Sequence, residues 1–319
     1  MDLHVWAATS ALPSLDADCL AALLFVHFAA LTNITVVPSS NPFRFATALP
    51  VLTDSTTGVP VALGHVQVLR TLASKTTESA LSFSARQTAL ASFAKNALLP
   101  VSLYVQRVHS QHYYSILRPA IFSIFATLPL PVRYMLPFLL IADAKYRISE
   151  IYDADAAPPT DPKAAATAAT SAVPGFSFFQ KRTPNPRHMV ALTDAGIPTS
   201  VVNAVTSVGG DDYAGVACML HVLSTTLPVL EAALEGSYLG GDAPSPADVV
   251  VMAQLYVQTR EAYAVPFVAD YIATSFPRIK AYLDRHSATL AELSMLPSRG
   301  ARDDETISAR SILLHYSGF

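Results

Sequence analysis

The stretch "ALPSLDADCLAALLFVHF", Ala11–Phe28, places a thiol, Cys19, in the first turns of an apolar helix, with Ser10 and Ser14 close before it. A thiol there could act as a nucleophile, because a helix N-terminus and a positive neighbour lower its pKa. A hydroxyl at Ser10 or Ser14 could stabilise a thiolate on a bound ligand. The spacing argues for a different role. Leu15, Cys19, Leu23, Val26 and Ala30 share one helical face, and Leu20, Leu24, Phe28 and Leu31 make a second. A helix apolar on most sides lies between two layers, and a thiol buried there is a small, inert hydrophobe. Cys19 is therefore expected in the core. Ser14 reads as the N-cap, with Asp16 and Asp18 at the positive end of the helix dipole.

Other chemical constellations are sparse. His109 and His112 stand three apart on an expected helix and could touch one metal, but no third ligand lies nearby in sequence. "VGGDDYAG" reads as a turn leading into a helix, and the sequon "NIT" at Asn33 falls inside an expected strand. No phosphate loop, G-x-S-x-G elbow or H-E-x-x-H pair occurs. The expectation is no catalytic residue, no cofactor and no metal ligand. The two cysteines, Cys19 and Cys218, are too far apart for a metal or redox motif and fit a reducing compartment.

The elements that must position these residues change character along the 319 residues. Leu3–Ala8 reads as a strand, Leu15–Leu31 as a helix and Asn33–Pro38 as a second, parallel strand. Ala48–Thr53 and Val59–Leu63 read as a hairpin, followed by a helix over His65–Ser74. The order is β-α-β then β-β-α, over residues 1–75. Residues 76–82 read as a polar linker, and residues 83–295 as an all-helical domain. Pro100 predicts a kink or break in the first of its helices. Later helices are expected at Thr199–Val208, Tyr213–Gly236, Pro246–Ala264 and Val265–Leu293. An Ala/Pro/Thr-rich insertion is expected at about 153–186 and a flexible tail at 296–319.

"YLGGDAPSPADVVVMAQLYVQ" carries the sharpest local signal. Ser245 and Asp248 form an S-x-x-D capping box, with Pro246 at the first helical position. A capped, nearly uncharged helix behind a β-α-β-β-α domain resembles the glutathione-transferase fold: a thioredoxin-like domain followed by a helical one. That resemblance implies a cis peptide at Pro50 in "LPVL", and "SFPRIKAYLDR" resembles the fold's late helix. Enzymes of that fold keep an acidic-Ser pair after the fourth strand to hold glutathione. Gly64-His65 stands there instead, so glutathione binding is not expected.

A closer resemblance follows. "LPSLDADCLAALLFVHFA", "SNPFRFATALPVL", "FSARQTALASFAKNALLPVSLYV", "LPLPVRYMLPFLL" and "YLGGDAPSPADVVVMAQLYV" are similar, in order and place, to blocks of the metaxins. Metaxins are glutathione-transferase-like subunits of the mitochondrial outer-membrane sorting and assembly machinery, which inserts β-barrel proteins. The resemblance implies a non-enzymatic subunit on the cytosolic face of that membrane. Its implied partners are a β-barrel protein and a second metaxin-like subunit. A scaffold role in another mitochondrial complex and a transferase-like enzyme remain alternatives.

Composition agrees with a docking role. Charged residues are 14% of the chain, against roughly 25% in ordinary globular domains. Net charge is −3 with no basic run, which excludes a nucleic-acid footprint. The opening "MDLHVWAATS" lacks both a basic n-region and an Arg-rich presequence. No stretch reads as a clean membrane span, since four prolines interrupt Ser115–Ala144. Within it, Phe122, Phe125, Arg133, Tyr134 and Phe138 are the candidate contacts to a membrane surface or a partner. The competing reading buries the same residues in the helical core.

Overall fold

Val and Leu alternate with polar residues at the start of the chain, and β1, Asp2–Trp6, runs through the middle of a mixed sheet. The structure is a computed structural model. It describes residues 1–6, 14, 16–39, 49–76, 84–119, 138, 140–148, 197–206, 212–260, 263–293 and 296–300. Sheet order is β2-β1-β3-β4, with β2 Thr35–Ser39, β3 Val51–Thr53 and β4 Pro60–Leu63. β2 pairs parallel to β1, in register Leu3↔Val36, because helix α1, Ala17–Phe28, makes the crossover between them. β3 pairs antiparallel to β1 (Leu3↔Leu52), and β4 to β3. The Leu49–Pro50 peptide before β3 is cis. Helix α2, Gly64–Ala73, starts directly from β4 and packs beside α1.

The remaining described elements are helical: α3 Ala85–Leu103, α4 Thr199–Thr206, α5 Asp212–Ala233, α6 Pro246–Gln258, α7 Phe267–Ser275 and α8 Pro277–Glu292. Residues 140–148 are helical as well. The architecture is thus α/β plus all-α, as expected. α6 sits at its centre, packed on α1 from one side and α3 from the other. From Pro246 to Leu255 every residue of α6 is buried, which explains why its sequence carries only one charge. Each Val, Leu or Met side chain enclosed this way contributes about 1.5–3 kcal/mol. A polar rung fixes the register: Gln258 Nε2 donates to Ser102 Oγ at 2.8 Å and to the Leu98 carbonyl at 3.0 Å, both on α3.

Three expectations are corrected. Pro100 does not break α3, which runs on to Leu103. The irregularity comes just after it, where Tyr104–Val108 and Tyr113–Leu117 are π turns and the His109 N–H donates to the Tyr104 carbonyl five residues back. Proline removes one intrahelical bond, and here the chain absorbs the lost register by widening rather than stopping. The long helix expected over Val265–Leu293 is two helices, because Pro277 takes the first position of α8 and Phe276 before it is non-helical, φ −131° and ψ 68°. The stretch from Gly215 to Ala233 is long and apolar enough to cross a membrane, with mean hydropathy 1.5. Its inner face (Val216, Leu220, Leu223, Leu227, Leu230) is buried in this fold.

The candidate contacts Phe122, Phe125, Arg133 and Tyr134, residues 77–82 of the expected linker 76–82 and the insertion at 153–186 lie outside the described residues. So do residues 301–319, whereas 296–300, expected within the flexible tail, lie against β2.

Candidate functional site

At the β1–α1 junction the cap is Asp16, not Ser14. Asp16 takes an extended conformation and its Oδ2 accepts the Cys19 N–H at 3.0 Å. Ser14 sits two residues outside and its Oγ accepts the Asp16 N–H at 3.3 Å. Both residue types can cap, and a carboxylate gains more from the helix dipole than a hydroxyl does. Helix α1 therefore begins two residues later than the sequence suggested, at Ala17.

Cys19 is fully buried, and its Sγ accepts the Trp6 N–H at 3.4 Å across the junction. Burial pushes its thiol well above the usual range, and the Asp16 and Asp18 charges add to that. A thiol so placed stays protonated and cannot act as a nucleophile. The cations at the junction are directed elsewhere. Lys95 of α3 meets Asp18 at 2.8 Å. Arg107, in the first π turn, lies beside Asp16 and 3.7 Å from Asp143. Burial raises the Asp16 carboxyl and the nearby Asp18 charge adds to this, while Arg107 and the Cys19 hydrogen bonds hold it back. Arg147 joins Asp143 at 3.1 Å, so the junction is tied by charge to the helical residues 140–148. Arg260, just past the end of α6, donates to the Ser14 carbonyl at 3.4 Å.

His65 occupies the place where a glutathione-recognition pair is expected. It is more than nine-tenths buried, and neither ring nitrogen has a hydrogen-bond partner among the described residues. Burial depresses its pKa to about 4, with Asp18 opposing and Lys95 reinforcing the shift. At neutral pH this imidazole is uncharged and encased. Gly64 before it holds φ +76°, a conformation that lets the strand turn straight into the helix.

His109 and His112 do come together, but as stacked rings, with centroids 4.0 Å apart. Tyr263 stacks on His112 at 4.4 Å, and Phe267 lies 6.2 Å from His109. His112 Nε2 accepts the Val265 N–H at 3.3 Å, so its Nδ1 carries the proton donated to the Val105 carbonyl at 3.1 Å. Both nitrogens of His112 are engaged, and no group of three metal-ligating side chains occurs among the described residues. The two histidines thus join α7 to the π turns.

The capping box forms as expected and grows. Ser245 Oγ accepts the Asp248 N–H at 3.4 Å, and Asp248 Oδ2 accepts the Ser245 N–H at 2.8 Å. Oδ1 of the same carboxylate accepts the Leu239 N–H at 2.7 Å and the Tyr282 hydroxyl at 2.9 Å. Leu239 and Tyr282 belong to this node, and no local spacing in the sequence reveals either link.

Of the candidate docking residues, Phe138 is described and its side chain is 60% exposed. Tyr114, shortly before the stretch Ser115–Ala144, and Tyr146, just past it, are similarly exposed. The Arg118 guanidinium lies 5.5 Å from the centre of the Tyr114 ring, a pairing of aromatic and cation suited to an interface. Ala144 is buried between them in sequence, so residues 140–148 have one face in the fold and one in solvent.

No curated protein matches the chain. Residues 19–140, which hold most of α1, the strands β2–β4, α2, α3 and the π turns, match the family model described as outer mitochondrial membrane transport complex protein, a metaxin-like family.

Proposed function

We propose that this chain is a non-enzymatic, metaxin-like subunit of the mitochondrial outer-membrane sorting and assembly machinery, with a glutathione-transferase-like fold. It would support import and insertion of β-barrel proteins. The observation that carries the reading is the family match over residues 19–140. The junction supports it. Cys19 is a buried, protonated thiol and His65 a neutral, enclosed imidazole, so the place where a transferase works on glutathione holds packing instead. The exposed aromatics Tyr114, Phe138 and Tyr146 fit a chain that docks on a membrane subunit from the cytosolic side.

Affinity purification of the tagged protein from mitochondria tests this directly. The reading expects a β-barrel protein and a second metaxin-like subunit among the partners. Recovery with a different mitochondrial complex, or glutathione retained at micromolar affinity, would overturn it. Alkaline carbonate should extract the protein at least in part, as befits a chain held by its partners.

A further inference from the structure

The two edges of the sheet end differently. The edge at β4 is short and carries Pro60, a residue that blunts strand addition. The edge at β2 is occupied. The Val36 N–H donates to the Pro297 carbonyl at 2.7 Å, and the Arg299 N–H donates to the Val36 carbonyl at 3.0 Å. Ser298 thus lies opposite Val36 in a parallel bridge, as the start of a fifth strand. Arg299 then reaches the next strand inward: its Nε and Nη2 donate to Asp2 Oδ2 at 2.9 and 2.7 Å.

The hold is unequal on its two sides. On the tail side, Pro297, Ser298 and Gly300 are exposed, and Leu296 is only partly buried. Among the described residues the backbone pairing reaches a single residue of β2, and Pro38 two positions on has no N–H to donate to it. On the sheet side, Asp2 is built in. It lies within β1, 5% exposed, and a buried carboxylate needs a cation beside it. With Arg299 in place the carboxylate that takes the guanidinium is fixed in the sheet, while the segment that supplies it is exposed along most of its length.

We propose that the β2 edge is a docking site for an extended, arginine-bearing segment of a partner chain, which residues 297–299 occupy in cis as a displaceable stand-in. Recognition is by strand addition: the backbone of Val36 supplies two hydrogen bonds, and Asp2 selects a guanidinium one residue past the bridge. The resident segment is tethered, which gives it an effective concentration in the millimolar range. A partner segment competes against that until Arg299 lets go.

Two measurements on the full chain test this. The first is native-state hydrogen exchange of the unaltered protein. The Val36 and Arg299 amides should exchange about a hundredfold faster than amides at the sheet centre, because release of the segment exposes them without unfolding. Equal protection would overturn the proposal. The second is fluorescence anisotropy with a labelled peptide of residues 296–302. The Arg299→Ala chain should bind it about tenfold or more tighter than the unaltered chain. A peptide with alanine in place of its first arginine, or a chain that also carries Asp2→Asn, should lose that binding. Should Arg299→Ala fail to fold by circular dichroism, Arg299→Lys, which keeps the charge and loses the fork, takes its place in the same comparison. A folded variant that binds no peptide would make the segment a fixed cover of the edge and sink the idea. Concentration-dependent dimers in sedimentation, with no peptide binding, would assign the edge to a second copy of this chain instead.

Discussion

Tyr282 donates its hydroxyl to Asp248 Oδ1 at 2.9 Å, which bonds α8 to the first turn of α6. The two residues are 34 apart in sequence. The link turns a local helix cap into a joint between the central helix α6, the turn at Leu239 and α8. Burial raises the carboxyl of Asp248 while the hydrogen bonds pull it down, and burial beside that carboxylate raises the phenol of Tyr282 well above its usual value.

Asp248→Ala should cost about 3 kcal/mol or more, because it strands the N–H groups of Leu239 and Ser245 and the Tyr282 hydroxyl in the interior. Ser245→Ala should cost about 1 kcal/mol. The two should couple by about 0.5 kcal/mol or more in a double-mutant cycle followed by urea denaturation. Additive losses would show that the reciprocal cap contributes nothing as a unit.

His65 gives stability a pH dependence of known sign. Its folded pKa, about 4, lies below the ordinary value of 6.5. Between those values the unfolded chain binds the extra proton, so stability is full above pH 6.5 and falls as the pH drops toward 4. The largest loss from this group is about 3 kcal/mol. His65→Leu should flatten the difference between urea melts at high and low pH. An unchanged pH slope in that variant would mean the imidazole is not the source.

The two cysteines should react at very different rates. Cys218 is exposed on α5, and Cys19 is fully buried with a raised pKa. Native protein treated with an alkylating reagent should take one label, at Cys218, and a second only after denaturation. Fast native labelling of Cys19 would restore the nucleophile reading.

Gly215 of α5 lies against the ring of Tyr104, and a Cβ there would overlap the ring atoms. Gly215→Ala should therefore destabilise by about 1–3 kcal/mol through overpacking, despite the better helix propensity of alanine. Tyr104→Leu in the same chain should recover part of the loss, as thermal melts would show.

Phe138→Asp should leave the fold intact, since that side chain is already exposed to solvent. Under the docking reading it should weaken retention on mitochondrial membranes or in the complex. Circular dichroism with carbonate fractionation separates the outcomes: a folded variant that stays fully bound would remove Phe138 from the contact surface.

Several features were legible in the sequence because they rest on short-range patterns. The β-α-β-β-α order, the burial of Cys19 on a helix apolar all round, and the capping box at Ser245 each depend on residues within about a turn or a strand of one another. The same short range explains the errors. Ser14 and Asp16 are both good caps two residues apart, and only the path of the junction decides between them. Pro100 is a breaker by propensity, yet the helix passes through it because α6 and α5 pack along its length and the π turns absorb the change in register.

What tertiary structure alone decided is everything carried by long-range partners. The fate of Cys19 as a protonated thiol needs the Asp16 and Asp18 charges around it as well as burial, against the opposing pull of the Trp6 amide. The placement of His112 between Tyr263 and His109 needs α7 beside the π turns. Arg299 meets Asp2 across 297 positions of sequence. No periodicity encodes such pairs, because each forms only after the core has brought distant chain segments within hydrogen-bond reach. The sequence by itself determined which surfaces must be buried; the packing of α6 between α1 and α3 decided which polar groups would meet there, since a buried polar group must find its partner wherever the chain has placed one.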